Sequence, residues 1–276
     1  MFMRKGFLTR KAFSLIETLI VSVLFIFIML VLLTILSSSR MSWQISQAQT
    51  DLYQSAQKAM IEMAGELTEV SSGFADTFIF VDPLNGEYVQ GVWFASSRGD
   101  SLVAGEDGSA DNYYMHLAVN NLADWRSLVL YCAYETSEGT KQLRRYVDYG
   151  SSIDYYAGAN IFPLTFISAT ATQLNFLEAN GVTVITINRT GGRVLANDIA
   201  TEDTNNNNLL DAGENDGTAS APMDNSDGFL DYGVNFTKNV GTIRIILFLC
   251  KEVSGAKQAG LILSTVLRTT VKFRQP

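Results

Sequence analysis

The chain of 276 residues has one histidine, His116, two cysteines, Cys132 and Cys250, and four prolines. Each scarcity removes a class of chemistry. Two Cys and one His fit no usual zinc spacing. A Ser-His-Asp or Cys-His nucleophile would have to use His116 alone, and no nucleophile motif accompanies it. His116 therefore reads as structural, and no enzymatic activity is expected. Basic residues are also outnumbered, 20 Lys and Arg against 28 Asp and Glu, for a net charge of −8. No general nucleic-acid binding is expected of such a surface. With 47% apolar residues and little Pro, the composition is not that of a disordered chain. The length allows one or two domains.

What the chain has in plenty is concentrated near its start. Residues 13–36 read FSLIETLIVSVLFIFIMLVLLTIL. A helix of this length spans about 36 Å, enough to cross the hydrocarbon layer of a bilayer. Eighteen of these residues are Phe, Leu, Ile or Val, worth roughly −7 kcal/mol on an insertion scale. The one charge, Glu17, costs about 3 kcal/mol even at the centre, so insertion wins. Arg4, Lys5, Arg10 and Lys11 precede the span and Arg40 is the nearest basic residue after it. That bias predicts a cytoplasmic N-terminus and an exported remainder. A secretory signal peptide is the competing reading. It fits poorly, because the apolar run is too long and no small-x-small cleavage site ends it.

The helical pattern does not stop with the apolar run. No Gly or Pro occurs from Phe13 to Ala64. Apolar or small residues recur at Met41, Ile45, Ala48, Leu52, Ala56, Ala59, Met63, Leu67 and Val70, in steps of three and four that keep one face. The spacing predicts one helix over 13–70. Its first half, 13–36, is apolar all round, and its second half, 37–70, is amphipathic.

A basic leader over 1–12, then Ala12, Phe13, Ser14, Leu15, Ile16 and Glu17 at the head of a long apolar helix, resembles the class III signal of type IV pilins and type II secretion pseudopilins. The resemblance covers about the first 40 residues. It implies cleavage by a prepilin peptidase between Ala12 and Phe13 and methylation of the new N-terminal Phe. It also implies that Glu17, fifth in the mature chain, pairs with the N-terminal amine of a neighbouring subunit during assembly. Ala12 stands where the family usually has Gly, which predicts slower cleavage. Many major pilins carry Gly and Pro inside the apolar helix. Their absence here leans towards a minor component. Removing the leader takes away four basic residues and no acidic one, leaving 16 against 28 and a net charge of −12.

Residues 71–276 are mostly β in pattern. Candidate strands are Thr77–Val81, Gln90–Ala95, Tyr114–Val119, Ser127–Tyr134, Lys141–Tyr149, Gln173–Leu177, Thr183–Asn188, Thr242–Cys250 and Gly260–Arg274. Two hairpins are expected, one turning at 135–140 and one at 251–257. The expected fold is α+β: a long helix with a transmembrane half and an amphipathic half, the latter packed on an antiparallel β-domain, in a pilin-like arrangement. Lys141, Arg144 and Arg145 read as the solvated side of a strand. Cys132 and Cys250 lie in strong strand candidates, and either a disulfide or two free thiols is compatible with their positions. Asn188 and Asn235 head glycosylation triplets that the prepilin signal, a bacterial or archaeal feature, makes coincidental.

An insertion at 198–231 holds nine acidic residues and no Lys or Arg. Within it Asp203, Asn205, Asn207, Leu209, Asp211 and Glu214 fall at positions 1, 3, 5, 7, 9 and 12 of a calcium loop. Short oxygen-bearing side chains at alternate positions let a tight loop wrap a hard cation, with Leu209 offering its carbonyl and Glu214 two oxygens. Asn208 replaces the usual Gly at position 6 and tolerates the left-handed backbone better than most residues. Calcium is thus expected as a structural cofactor. Asp224, Asp227 and Asp231 fit a degenerate second loop or could complete the first.

The size and hairpin-ending β pattern look like J-type pseudopilins or PilW-like minor pilins. The resemblance implies a structural subunit that helps initiate or cap a type IV pilus or a type II secretion pseudopilus. Its partners would be prepilin peptidase, other pilin or pseudopilin subunits and inner-membrane lipid. The alternative is a filament-tip binding module, in which the calcium-stabilised β-domain recognises a surface, a secreted substrate or DNA.

Overall fold

The computed structural model describes residues 14–84, 86, 88–96, 127–136, 139–148, 163–179, 181–200, 233–252 and 262–274. The chain divides into two compact units, residues 1–47 and 48–276. One helix, α1 (Leu15–Leu67), runs from the first into the second.

Helix α1 starts at a capping serine. The Ser14 hydroxyl accepts the Glu17 backbone N–H at 3.3 Å, satisfying one of the donors a helix start leaves free. The absence of Gly and Pro before Gly65 keeps it continuous. It ends at Leu67, three residues short of the expected 70. There Glu69 and Val70 donate back only three residues, to the carbonyls of Glu66 and Leu67. That tightening closes the last turn.

In the second unit α1 buries Leu52, Ala56, Ala59, Met60, Met63 and Leu67. The face read from the sequence is the buried one, with Met60 added. It lies over a five-stranded antiparallel sheet of β1 (Ala75–Val81), β2 (Tyr88–Ser96), β3 (Ser127–Glu135), β4 (Lys141–Asp148) and β8 (Arg193–Asn197), in the order β1-β2-β3-β4-β8. Glu66 of α1 reaches Tyr131 on β3 and Arg145 on β4, and Glu62 reaches Arg193 on β8. Central β3 is buried from Ser127 to Tyr134, so its alternation is lost, as happens when both faces are covered.

Two smaller antiparallel sheets complete the domain. One has β9 (Val234–Asn239), β10 (Thr242–Glu252) and β11 (Ile262–Lys272) in the order β11-β10-β9. Its inner face puts Ile243, Ile245, Leu247 and Leu249 into the core. It is fastened to the first sheet where the Phe236 N–H donates to Gln90 Oε1 (3.2 Å) and Lys238 Nζ donates to the Ala75 carbonyl (2.7 Å). The other has β5 (Thr165–Ala169), β6 (Gln173–Leu177) and β7 (Val184–Asn188) in chain order. Phe166 and Phe176 from it meet Phe78 of β1 at centroid distances of 5.5 and 5.1 Å. Beyond β11, the Arg274 N–H donates to the carbonyl of Val70, just past α1, at 2.9 Å.

Eight of the expected strands are present with small changes at their ends, and both hairpins form. The Tyr114–Val119 candidate and His116 lie outside the described residues. Strands β5, β8 and β9 were not foreseen. They are only five or six residues long, and their sequences TFISA, RVLAN and VNFTKN mix polar and apolar residues too closely for a period-2 signal. Their pairing is set by the neighbours β6, β4 and β10.

Candidate functional site

The first turns of α1 carry the feature that the sequence singled out. Large apolar side chains from Leu15 to Leu36 are exposed, and the most apolar window of the helix is not buried at all. This is one N-terminal helix long and apolar enough to cross a membrane, at about 33 Å for residues 15–36. The few hydroxyls on it are turned inward on the backbone. Thr18 Oγ1 donates to the Ser14 carbonyl (3.4 Å), Ser22 Oγ to that of Thr18 (2.8 Å) and Thr34 Oγ1 to that of Leu30 (2.9 Å). A lipid-facing helix needs this arrangement, because no water is there to accept those protons. Glu17 is the exception. It is the sole charged residue from 14 to 39, it is exposed in the first turn, and it has no ion-pair partner among the described residues. Its position near the positive end of the helix dipole offsets only a small part of its desolvation.

The processing residues Ala12 and Phe13 lie outside the described residues. So do the calcium-loop positions Asp203, Asn205, Asn207, Leu209, Asp211 and Glu214, and the second-loop candidates Asp224, Asp227 and Asp231. The first acidic residue of that insertion, Asp198, is described. It adopts a left-handed backbone (φ 59°), and its carboxylate lies 3.6 Å from Lys251. Among the described residues no three Asp, Glu, His or Cys side chains come together as a metal site.

The sequence missed the ionic clusters inside the domain. Asp82, just after β1, and Arg189, just after β7, form a fully buried two-point ion pair with contacts of 3.1 and 2.5 Å. Arg189 Nη1 also donates to the Thr170 carbonyl (3.0 Å), and the guanidinium stands 5.2 Å from the Phe80 ring. Burial pulls the Arg189 pKa down, but the hydrogen bonds and charge of Asp82 raise it overall. A second cluster joins Glu66, Tyr131 and Arg145, with Arg145 Nη2 at 3.0 Å from Glu66. Burial, then the Glu66 charge, pushes the Tyr131 phenol well up.

This corrects the reading of the basic trio. Lys141 and Arg145 are buried on one face of β4, and only Arg144, on the opposite face, is partly exposed. Arg144 lies 4.3 Å from the centre of the Tyr134 ring and donates to Gln142 Oε1 at 2.9 Å. The trio fails as a solvated strand face because α1 covers the side that Arg145 occupies. A signal was available in Glu62 and Glu66, two carboxylates one turn apart near the buried face of the amphipathic half-helix.

Cys132 and Cys250 are free thiols. Burial pushes the Cys132 thiol up to about 12, against the pull of Arg189. Its thiolate, the nucleophilic form, is therefore scarce at neutral pH. The cavity lined by Tyr146, Val147, Thr186, Ile187, Asn188 and Gly191 holds one titratable side chain, Tyr146, and burial raises its pKa far above the ordinary phenol.

Neither a protein-family model, nor a curated protein, nor a solved structure matches this chain.

Proposed function

We propose that the chain is a minor pilin or pseudopilin, a structural subunit that helps initiate or cap a type IV pilus or a type II secretion pseudopilus. It is cut between Ala12 and Phe13 by prepilin peptidase. It waits in the inner membrane with its N-terminus cytoplasmic and its β-domain exported, and it enters a filament by helix packing. The observation that carries this reading is Glu17. On a helix surface where the hydroxyls facing lipid are internally satisfied, one carboxylate is left without a partner among the described residues. Such a charge costs about 3 kcal/mol or more in lipid. A neighbour's N-terminal amine would remove that cost and fix the axial offset between subunits. Calcium held by Asp203, Asn205, Asn207, Leu209, Asp211 and Glu214 would gather an acidic loop that otherwise repels itself.

The test begins with the mature N-terminus, read by mass spectrometry. It is expected at Phe13, and a membrane-bound chain that still starts at Met1 would refute the reading. Glu17→Ala is then expected to leave processing and membrane retention intact while incorporation into filaments falls at least tenfold. A deletion strain separates the two machines. Loss of surface filaments with normal secretion assigns the pilus, and trapped secreted proteins with intact filaments assign the pseudopilus. For calcium, the melting temperature of the full chain is expected to rise on calcium addition and to lose that response in Asp203→Ala/Glu214→Ala.

A further inference from the structure

The outer face of the β9–β10–β11 sheet has a charge opposite to that of the chain. Antiparallel register places Arg244 opposite Thr270, Thr242 opposite Lys272 and Ile246 opposite Arg268. Arg244, Arg268 and Lys272 therefore share one face, with Arg244 diagonal to both others at about 7–8 Å. All three are exposed, and none makes an ion pair with a described residue. On β9 the same face continues through Asn235, Thr237 and Asn239. On this face the register places one acidic residue, Glu252, at the far end of β10 opposite Ile262, and none over 235–239, 242–250 and 264–272. Beside it, β11 ends the sheet and pairs with β10 alone among the described strands, over 11 residue pairs.

Charged residues commonly guard a free strand edge against aggregation. Either sign would do that. A chain with 28 acidic and 20 basic residues could place acids there or intersperse the two, yet it sets Arg244 diagonal to both Arg268 and Lys272, and none of the three has an ion pair among the described residues. Like charges so close destabilise the sheet slightly. An anionic partner turns that repulsion into attraction. Its form follows from the geometry. An edge strand offers backbone N–H and C=O groups to an added strand. In an added strand, side chains of one face recur about every 6.8 Å, the interval at which Arg268, Arg244 (level with Thr270) and Lys272 follow one another along the strand axis. The exposed part of the face carries no aromatic side chain on which a base would stack, which disfavours a nucleic-acid strand.

We infer that the free edge of β11 and the basic face of Arg244, Arg268 and Lys272 form a docking site for an extended acidic segment of a partner polypeptide, added as a fourth strand. This site is independent of Glu17 and of the membrane helix.

The test uses the full chain in neutral detergent micelles and a labelled ten-residue peptide alternating Glu and Thr, followed by fluorescence anisotropy. Saturable binding is expected, weakened at least tenfold in R268E/K272E and weakened again by 0.5 M salt, which screens exposed charges over about 3–5 Å. A Lys–Thr peptide is expected to prefer the reversed variant. N-methylation of alternate peptide residues removes the N–H groups needed for strand addition and is expected to abolish binding. If R268E/K272E melts lower than the parent, R268Q/K272Q replaces it. No binding by the parent, equal binding by the charge variants, or undiminished binding of the methylated peptide overturns the inference. Tighter binding of an oligothymidylate of equal charge also overturns it, in favour of a nucleic-acid partner.

Discussion

The ring of Phe78 occupies the space that a side chain at Gly91, its partner across β1 and β2, would need. A Cβ built on Gly91 would lie 2.3 Å from Phe78 Cζ. The glycine is therefore required by packing, and not by a turn or an unusual backbone angle. A similar close approach occurs at Gly192, just before β8, where a Cβ would lie 2.5 Å from the ring of Tyr146. An aromatic laid over a strand glycine restores the apolar cover that the missing side chain cannot give.

Gly91→Ala is accordingly expected to destabilise the domain by about 1–3 kcal/mol, the range for overpacking a filled core. Phe78→Leu in the same chain should recover part of that loss, because the shorter side chain vacates the space. Urea unfolding followed by tryptophan fluorescence gives the four corners of the cycle. Additive losses would show that the ring and the glycine are not coupled.

The Asp82–Arg189 pair makes a second prediction. Both side chains are wholly buried. Arg189→Met leaves a carboxylate in the core without its counter-charge, which is expected to cost about 3–5 kcal/mol. Asp82→Leu combined with Arg189→Met should cost much less than the sum of the single changes, because both desolvated charges are gone. Arg189 Nε has no hydrogen-bond partner among the described residues, so these leave the pair short of one bond even in the parent. Denaturation midpoints of the two single variants and the double variant decide the point.

The pH dependence follows from Cys132. Its thiol is held up at about 12 in the folded chain, against 9.0 when free. Above pH 9 the unfolded chain releases this proton while the folded chain keeps it, so the folded state binds more protons and stability falls as pH rises. The contribution is fully present below pH 9 and is lost on the way to 12. By pH 10 the loss from this group is on the order of 1 kcal/mol. Cys250, also raised by burial and by Asp198, adds in the same direction. Unfolding free energies at pH 8, 9 and 10 are expected to show the decline, with a shallower slope in Cys132→Ala. An unchanged slope in that variant would remove Cys132 as its cause.

The elements most legible in the sequence were those with long, uniform signals. The helix could be read because more than fifty residues passed without Gly or Pro, and its buried face because Leu52, Ala56, Ala59, Met63 and Leu67 recur at helical spacing. Central strand β3 could be read from its unbroken apolar run, and β10 from its length. Short β5, β8 and β9 owe their shape to partners distant in sequence, which no local window contains. The same limit hid the ion pairs. Asp82 and Arg189 are separated by the whole of β2 to β7, and Arg145 looks like a surface residue until Glu66 is set beside it. Glu17 was legible for the opposite reason, since a lone charge in an apolar run stands out without any knowledge of the fold.

The bond from the Arg274 N–H to the Val70 carbonyl sets a timetable for making the protein. Residue 70 leaves the ribosome long before residue 274, and a chain grows at roughly 5–20 residues per second. For that interval the turn after α1 lacks its partner, and β10, whose inner face fills the core, lacks β11. Contacts this distant in sequence also form slowly once all the pieces exist. The apolar face around Ala56, Ala59 and Met63 also emerges early, and it waits for β8, the last-made strand of the sheet that covers it. A chaperone that attends this protein would have to hold the amphipathic half of α1 until β8 completes the sheet that covers it, and proteases would find that segment first in any chain whose synthesis stops short of β8.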